Sequence, residues 1–188
     1  MENKIIIISG PSGAGKGTLA GMLLKEYKNK ITGSVSVTDR PIRLGETNGI
    51  NYYFVTPAKF QTMKKNGDFL EHEEYQGKNY GTSKKAFEKI LKTKNVLLEI
   101  DVKGAKKVME IFSKEDLLSI FIYPPSLDVL NERLIKRADT SAEAIQERLK
   151  IAQKELKYQK FYKKSVVNDD LQIAYQDLIQ IIKQENII

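Results

Sequence analysis

Nine residues near the start of the chain, Gly10-Pro11-Ser12-Gly13-Ala14-Gly15-Lys16-Gly17-Thr18, have the types and spacing of a phosphate cradle. Glycines at these intervals let the backbone curl until successive N–H groups point inward at phosphate oxygens. A helix opening straight after the loop adds the positive end of its dipole. Lys16 can reach the β- and γ-phosphates and stay with a phosphoryl group that moves. Gly17 stands where most such loops carry the Ser or Thr that ligates Mg2+, and Thr18, one position later, can touch the α-phosphate instead. No Asn-Lys-x-Asp guanine motif occurs, which counts against a GTPase.

A second anion site is suggested by Thr38-Asp39-Arg40-Pro41-Ile42-Arg43, which puts two guanidiniums three residues apart beside a turn. The planar fork of arginine binds two phosphate oxygens at once. Tyr52 and Tyr80 could add hydroxyl donors. Loop arginines often simply face water, so the pair alone leaves both readings open. Further on, Arg137 and Arg148 flank the turn Ala138–Ser141 between two helical stretches, the layout of a hinged flap that expels water on closing. His72, the only histidine, lies in Glu71-His72-Glu73-Glu74. Strand alternation puts Glu71 and Glu73 on one face and His72 on the other, and the histidine reads as a surface or packing residue in preference to a metal ligand.

These groups need a scaffold. Ile5–Ser9 reads as a fully buried strand, followed by the cradle and a helix from about Thr18 to Tyr27 with Leu19, Met22, Leu23 and Leu24 inward. Val96–Ile100 and Leu118–Ile122 are two more strand-like runs, each followed by turn chemistry and helical periodicity. Pro124-Pro125-Ser126 ends the third strand and caps a helix to about Arg137, whose Leu127, Leu130 and Leu134 form a core face. Thr140-Ser141-Ala142-Glu143 has capping-box spacing and opens a helix to about Lys157. Ser165–Val167 is a short last strand and Leu171–Asn186 an amphipathic closing helix. This alternation predicts the α/β class, a P-loop three-layer α/β/α core with a mainly parallel sheet. Between Ser34 and Lys94 the rhythm breaks into short aromatic-rich runs (Ser34–Thr38, Tyr52–Val55, Phe69–Tyr75), turn signals at Asn48-Gly49 and Gln76-Gly77, and a helix start at Thr56-Pro57. That stretch predicts an inserted mixed α/β sub-domain. A single domain is expected, with core about 1–32, 95–125 and 158–188, sub-domain about 33–94, and helical lid about 126–157.

The length of 188 residues suits one domain with a real core. No apolar run approaches the roughly 18–20 residues of a membrane span, and Lys4 with four isoleucines is too short for a signal peptide. With no cysteine there is no disulfide framework, and a cytoplasmic location is expected. A net charge of +7 suits either nucleic acid or small polyanionic substrates. Lysines scattered among glutamates, without a basic tract, favour a solvated surface, and no nucleic-acid or membrane partner is expected.

The stretch Thr38 to Val55, with Arg40, Arg43, Glu46, Gly49, Tyr52, Phe54 and Val55, is similar to the signature of guanylate kinases, which are P-loop nucleoside-monophosphate kinases. The likeness continues through Phe69-Leu70-Glu71, Gly77-Lys78-Asn79-Tyr80-Gly81-Thr82, Ile100-Asp101-Val102-Lys103-Gly104, Pro124-Pro125-Ser126, Arg137, Arg148 and Val167-Asn168-Asp169-Asp170, and so covers nearly the whole chain in order. A Gly-Lys-Gly-Thr ending also resembles the nucleoside-monophosphate kinases, where Mg2+ is held mainly by phosphates and water. The resemblance implies transfer of the γ-phosphoryl of ATP to GMP, with dGMP as a second acceptor, and Mg2+ as cofactor. It implies that Gly10 to Thr18 bind ATP with Asn168 near the adenine. Arg40, Arg43, Tyr52 and Tyr80 would hold the GMP phosphate, while Ser36, Glu71 and Thr82 read the guanine. Asp101 would lie near the ribose or the waters of the metal, with no side chain ligating it directly. Lys16, Arg43, Arg137 and Arg148 would be catalytic, the last two as lid arginines. A monomer or homodimer is expected. The chain departs from the family pattern at Asp39, Glu99 and Ala138, and Asp39 is expected to turn away from the phosphate, capping the loop or pairing with a lysine.

Physical chemistry supports these roles independently. Guanine presents N1–H and N2–H2 as adjacent donors, and one carboxylate accepts both. Phosphoryl transfer to a phosphate needs alignment and charge neutralisation more than a base, because the acceptor is already an oxyanion. A non-catalytic guanylate-kinase-like interaction domain is the rival from another class, but such domains typically lose the cradle lysine or the arginines kept here. A kinase for another monophosphate, such as AMP or dTMP, is disfavoured by Glu71 and Thr82 in their motif.

Overall fold

The computed structural model describes residues 3–75, 77–136 and 142–188. In chain order the elements are β1 (Ile5–Ser9), α1 (Lys16–Glu26), β2 (Ile31–Gly33), β3 (Val37–Thr38), β4 (Tyr53–Phe54), α2 (Pro57–Lys65), β5 (Phe69–Tyr75), β6 (Lys78–Ser83), α3 (Lys84–Leu91), β7 (Asn95–Glu99), α4 (Val102–Ile111), β8 (Leu117–Tyr123), α5 (Leu127–Lys136), α6 (Ala142–Leu156), a 3-10 turn (Gln159–Phe161), β9 (Lys164–Val167) and α7 (Leu171–Gln184).

The main sheet has the order β2-β7-β1-β8-β9, and every pairing in it is parallel. Ile5 to Ile8 show why the central strand reads as an unbroken apolar run. Ile6 and Ile8 pack with Leu19, Ala20 and Leu23 of α1 and Ala174, Leu178 and Ile182 of α7. Ile5 and Ile7 face the other way, onto Phe87 of α3 and Val102, Ala105 and Val108 of α4. A parallel sheet covered on both faces has no polar side, so alternation disappears. The three layers are the expected α/β/α core.

Helix α1 starts at Lys16, two residues earlier than the apolar spacing indicates, because Gly15 at φ +89° serves as its cap without a side chain. Ala20 joins Leu19 and Leu23 in the core, while Met22 and Leu24 are only half-buried.

The second sheet, β4-β3-β6-β5, is mixed: β3 pairs parallel with β4 and antiparallel with β6, which pairs antiparallel with β5. Val37, Phe60 and Phe69 form its small core against α2. Thr56 caps α2 by accepting from the Lys59 N–H at 3.2 Å, with Pro57 at the first position as expected. Strand β5 spans the residues read from alternation. Strands β2 and β6 and helix α3 are additional to that reading. Each β addition is short or carries Gly and Asn, and is a strand only because a neighbour supplies its hydrogen bonds.

Helices α5 and α6 pair through Leu130, Leu134 and Ala152. Ser126 caps α5, accepting from the Val129 N–H at 3.2 Å. The same α5 leans on the cradle: a Cβ on Gly13 would come within 2.9 Å of Leu130. Arg137, Ala138 and the Thr140-Ser141 half of the capping box lie outside the described residues.

Candidate active site

One cleft of about 1020 Å3 runs from the cradle after β1 to the second sheet. Gly10, Ser12, Gly13, Gly15, Lys16, Gly17 and Thr18 line one end, whereas Pro11 and Ala14 are not in its wall. Gly10 has φ +139°, and a Cβ there would meet the Ile122 carbonyl oxygen at 2.0 Å, so only glycine fits between loop and sheet. Lys16 Nζ donates to the carbonyls of Gly10 at 2.7 Å and Pro11 at 2.9 Å, which lays the ammonium across the loop. Asn168 is buried behind the loop, where its Nδ2 donates to the Ala14 carbonyl at 2.8 Å. A Cβ on Gly15 would stand 2.2 Å from that nitrogen, so the amide supports the cradle from outside the cleft.

At the other end lie Ser36, Arg40, Arg43, Tyr52, Glu71 and Tyr80. The guanidinium of Arg40 makes a bidentate pair with Glu46, at 3.0 and 2.8 Å, and stands over the rings of Tyr52 and Phe54 at 5.4 and 5.6 Å. This fork is thereby fixed in direction, whereas Arg43 is exposed at the rim and gives its backbone N–H to Glu46 at 2.8 Å. Tyr52 and Tyr80 meet edge to face at 5.8 Å. Asp39 turns aside: its two oxygens accept from the backbone N–H of Asn79 at 2.8 Å and from the Asn79 side chain at 2.5 Å. The acid beside the anion site is thus a clamp between β3 and β6, and its partner is an amide.

Glu71 is only 6% exposed and accepts from Thr82 Oγ1 at 2.6 Å. Thr82 itself is fully buried and is not in the cleft wall, so it acts on the cleft through Glu71. Burial pushes the Glu71 carboxyl up to about 7; the Thr82 hydrogen bond and the Lys107 charge hold it back, and Asp101 and Glu73 add to the rise. Glu73 lines the same wall and is paired with Lys107 of α4 at 2.5 Å. His72 points to the other face, where its ring meets Phe69 at 6.1 Å.

The same cleft is also lined by Glu99, Asp101, Arg148 and Glu155. Gly17 makes room for Glu99, whose Oε1 would lie 3.2 Å from a Cβ there. Asp101 caps α4 by accepting from the Gly104 N–H at 2.7 Å, and burial raises its carboxyl above the ordinary range. Glu155, absent from the sequence reading, carries a carboxyl pushed up to about 7 by burial and opposed by the charge of Lys16. It follows Arg148 by seven residues, two turns along α6, so both project from one face; that spacing is the signal that could have found it. Tyr75 is a second missed wall residue. Arg137 lies outside the described residues.

The arrangement gathers two sets of groups able to bind phosphate into one cleft lined also by cationic and carboxylate side chains, which suits it to moving a phosphoryl group from one nucleotide to another. The sequence model of the family described as Guanylate kinase matches residues 2–185. The chain belongs to the guanylate kinase family. A guanylate kinase of Clostridium perfringens strain SM101 is 45% identical over 182 residues, covering 96% of this chain and 83% of that one. The guanylate kinase of Coxiella burnetii is 44% identical over 184 residues, 97% of this chain and 88% of the relative. The crystal structure of guanylate kinase from Anaplasma phagocytophilum superposes with a TM-score of 0.78 at 35% identity, covering 97% of this chain and 86% of that one. Members of the guanylate kinase family are nucleoside-monophosphate kinases, and this chain is accordingly an enzyme of the ATP:GMP phosphotransferase class, not a non-catalytic relative.

Among the described residues no three of His, Cys, Asp and Glu come together to cage a metal ion. The sparse oxygen donors Thr18, Glu99 and Asp101 in the cleft wall suit Mg2+, which keeps waters and takes its remaining ligands from phosphates. Among the same residues no helix is long and apolar enough to cross a membrane.

Proposed function

We propose that this chain moves the γ-phosphoryl of ATP onto GMP, giving ADP and GDP, with ATP in the cradle and GMP against the second sheet. The observation that carries this reading is a single cleft with Lys16 in one wall and a buried carboxylate, Glu71, with two arginines and two tyrosines in the other. Glu71 accepts from guanine N1–H and the 2-amino group, with Ser36 beside it and Thr82 holding its second oxygen. Arg40, Arg43, Tyr52 and Tyr80 hold the acceptor phosphate, Arg40 in the orientation set by Glu46. Lys16 follows the transferring group, and Arg43, Arg148 and Arg137 neutralise charge that spreads over its oxygens. No general base is needed, since the acceptor oxygen already carries its charge. Asp101 and Glu99 would hold the waters of a bound Mg2+, whose charge would neutralise the phosphates of ATP. The lid helix α6 excludes water so that hydrolysis does not compete.

The test is an ADP-release assay with ATP and each of GMP, dGMP, IMP, AMP and dTMP. IMP lacks the 2-amino donor, and AMP turns a lone pair towards the carboxylate. An unmatched buried polar group costs roughly 1–3 kcal/mol, so kcat/KM should fall from GMP to IMP to AMP, with AMP lower by at least about a hundredfold. AMP turnover rivalling that of GMP would refute the assignment of Glu71 to the base.

A further inference from the structure

Gly104 sits in the first turn of α4 with ordinary helical backbone, so nothing in its own conformation asks for glycine. A glycine inside a helix is less stable than alanine at the same place. The reason for it lies across the gap to β5. An ideal Cβ on Gly104 would come 2.7 Å from Glu71 Oε2, closer than side-chain carbons stand to such atoms, and would lie tightly at 3.2 Å from Glu71 Cδ and 3.3 Å from Asp101 Oδ1. The opposite oxygen of Glu71 is held by the Thr82 hydroxyl at 2.6 Å. The backbone of Glu71 is tied to β6 by its pairing with Thr82, directly after a register shift between Phe69 and Glu71.

We propose that Gly104 is a specificity-positioning residue: its missing side chain is the slot in which the Glu71 carboxylate lies, and the Thr82 hydroxyl closes that slot from the other side. A methyl group at 104 turns the carboxylate out of the slot and into the cleft, where it no longer presents both oxygens to the edge of a guanine. Gly104 touches no substrate and acts through Glu71, so the inference rests on the reading of Glu71 as the acceptor for the base. The same residue's N–H caps onto Asp101 at 2.7 Å, and that bond is a backbone one that alanine keeps.

The experiment compares wild type, Gly104→Ala, Glu71→Ala and the double variant in turnover of GMP and IMP at saturating ATP, with the KM for ATP and the melting temperature recorded for each. Gly104→Ala should raise the KM for GMP about tenfold and shrink the preference for GMP over IMP by a similar factor, leaving kcat and the KM for ATP within about twofold. In the Glu71→Ala background the same change should be silent, within about twofold, because the group it displaces is gone. Equal losses in both backgrounds, or an unchanged preference in Gly104→Ala, would overturn the proposal. If Gly104→Ala does not fold but the double variant does, the clash with Glu71 is demonstrated; if neither folds, glycine serves the helix itself and the proposal fails. Should Glu71→Ala alone keep the preference for GMP, the base-reading role of Glu71 is what falls.

Discussion

Glu71 is a carboxylate kept from water, with its charge opposed by burial and by Asp101 and Glu73, and favoured by Thr82 and Lys107. With the carboxyl at about 7, roughly half of the free protein carries a neutral Glu71 near neutrality. Guanine donors favour the ionised form, so GMP binding should release protons. The KM for GMP should therefore fall as pH rises from about 6 to about 8 and then level off. Folding follows the opposite sign: a carboxyl raised above its ordinary value stabilises fully below that value, and the contribution is lost as pH rises through about 7. Glu155 titrates in the same range, so the diagnostic comparison is Glu71→Gln, which should remove one component of the KM profile and leave the other. A profile that Glu71→Gln does not alter would mean that another group controls GMP binding.

At the level of elements, α6 delivers chemistry to a cleft whose walls belong to other parts of the chain. Arg148 and Glu155 line the cleft, and Ala152, on the adjoining strip of the same helix, packs onto Leu130 and Leu134 of α5. Helix α5 in turn presses on the cradle at Gly13. The pair is thus anchored at the donor end. An arginine delivered from this direction should serve the phosphoryl group in flight more than the resting acceptor. Arg148→Ala is expected to lower kcat by about a hundredfold or more while changing the GMP dissociation constant, measured without ATP, by less than about threefold. A collapse of GMP affinity with kcat intact would move Arg148 to the acceptor site.

The whole molecule is organised so that the two proposed nucleotide sites share one cavity, with walls contributed by the cradle, the second sheet, β7 and α6. Ligands that bind there stabilise only the folded chain. At a hundredfold excess over its dissociation constant a nucleotide adds about 2.7 kcal/mol, which in a domain of this size raises the melting temperature by roughly 5–10 °C. GMP should produce that shift in thermal unfolding, and AMP at the same concentration should produce less than about 2 °C. Equal shifts for the two would show that the acceptor wall does not distinguish bases.

The phosphate cradle was legible because its chemistry is local: glycines that permit the turn, a lysine, a buried strand before and a helix after. The caps at Thr56 and Ser126 and the alternation of Phe69–Tyr75 were legible for the same reason, since their hydrogen bonds and faces depend on neighbours a few residues away. The pairing of β6 with β3 and β5 was not, because a strand containing Asn79 and Gly81 gets its hydrogen bonds from residues distant in sequence. Nor was the direction of Asp39, set by Asn79 forty residues on. Glu155 feels the charge of Lys16 across the fold, and Asn168 reaches the cradle from 154 residues away. Gly104 reads as an unfavourable helix residue until Glu71 is seen beside it. Sequence alone marked groups suited to the chemistry, through backbone preference and side-chain type. Tertiary packing decided where each carboxylate and amide points and how its charge is held, because burial and hydrogen-bond partners exist only once distant segments have met.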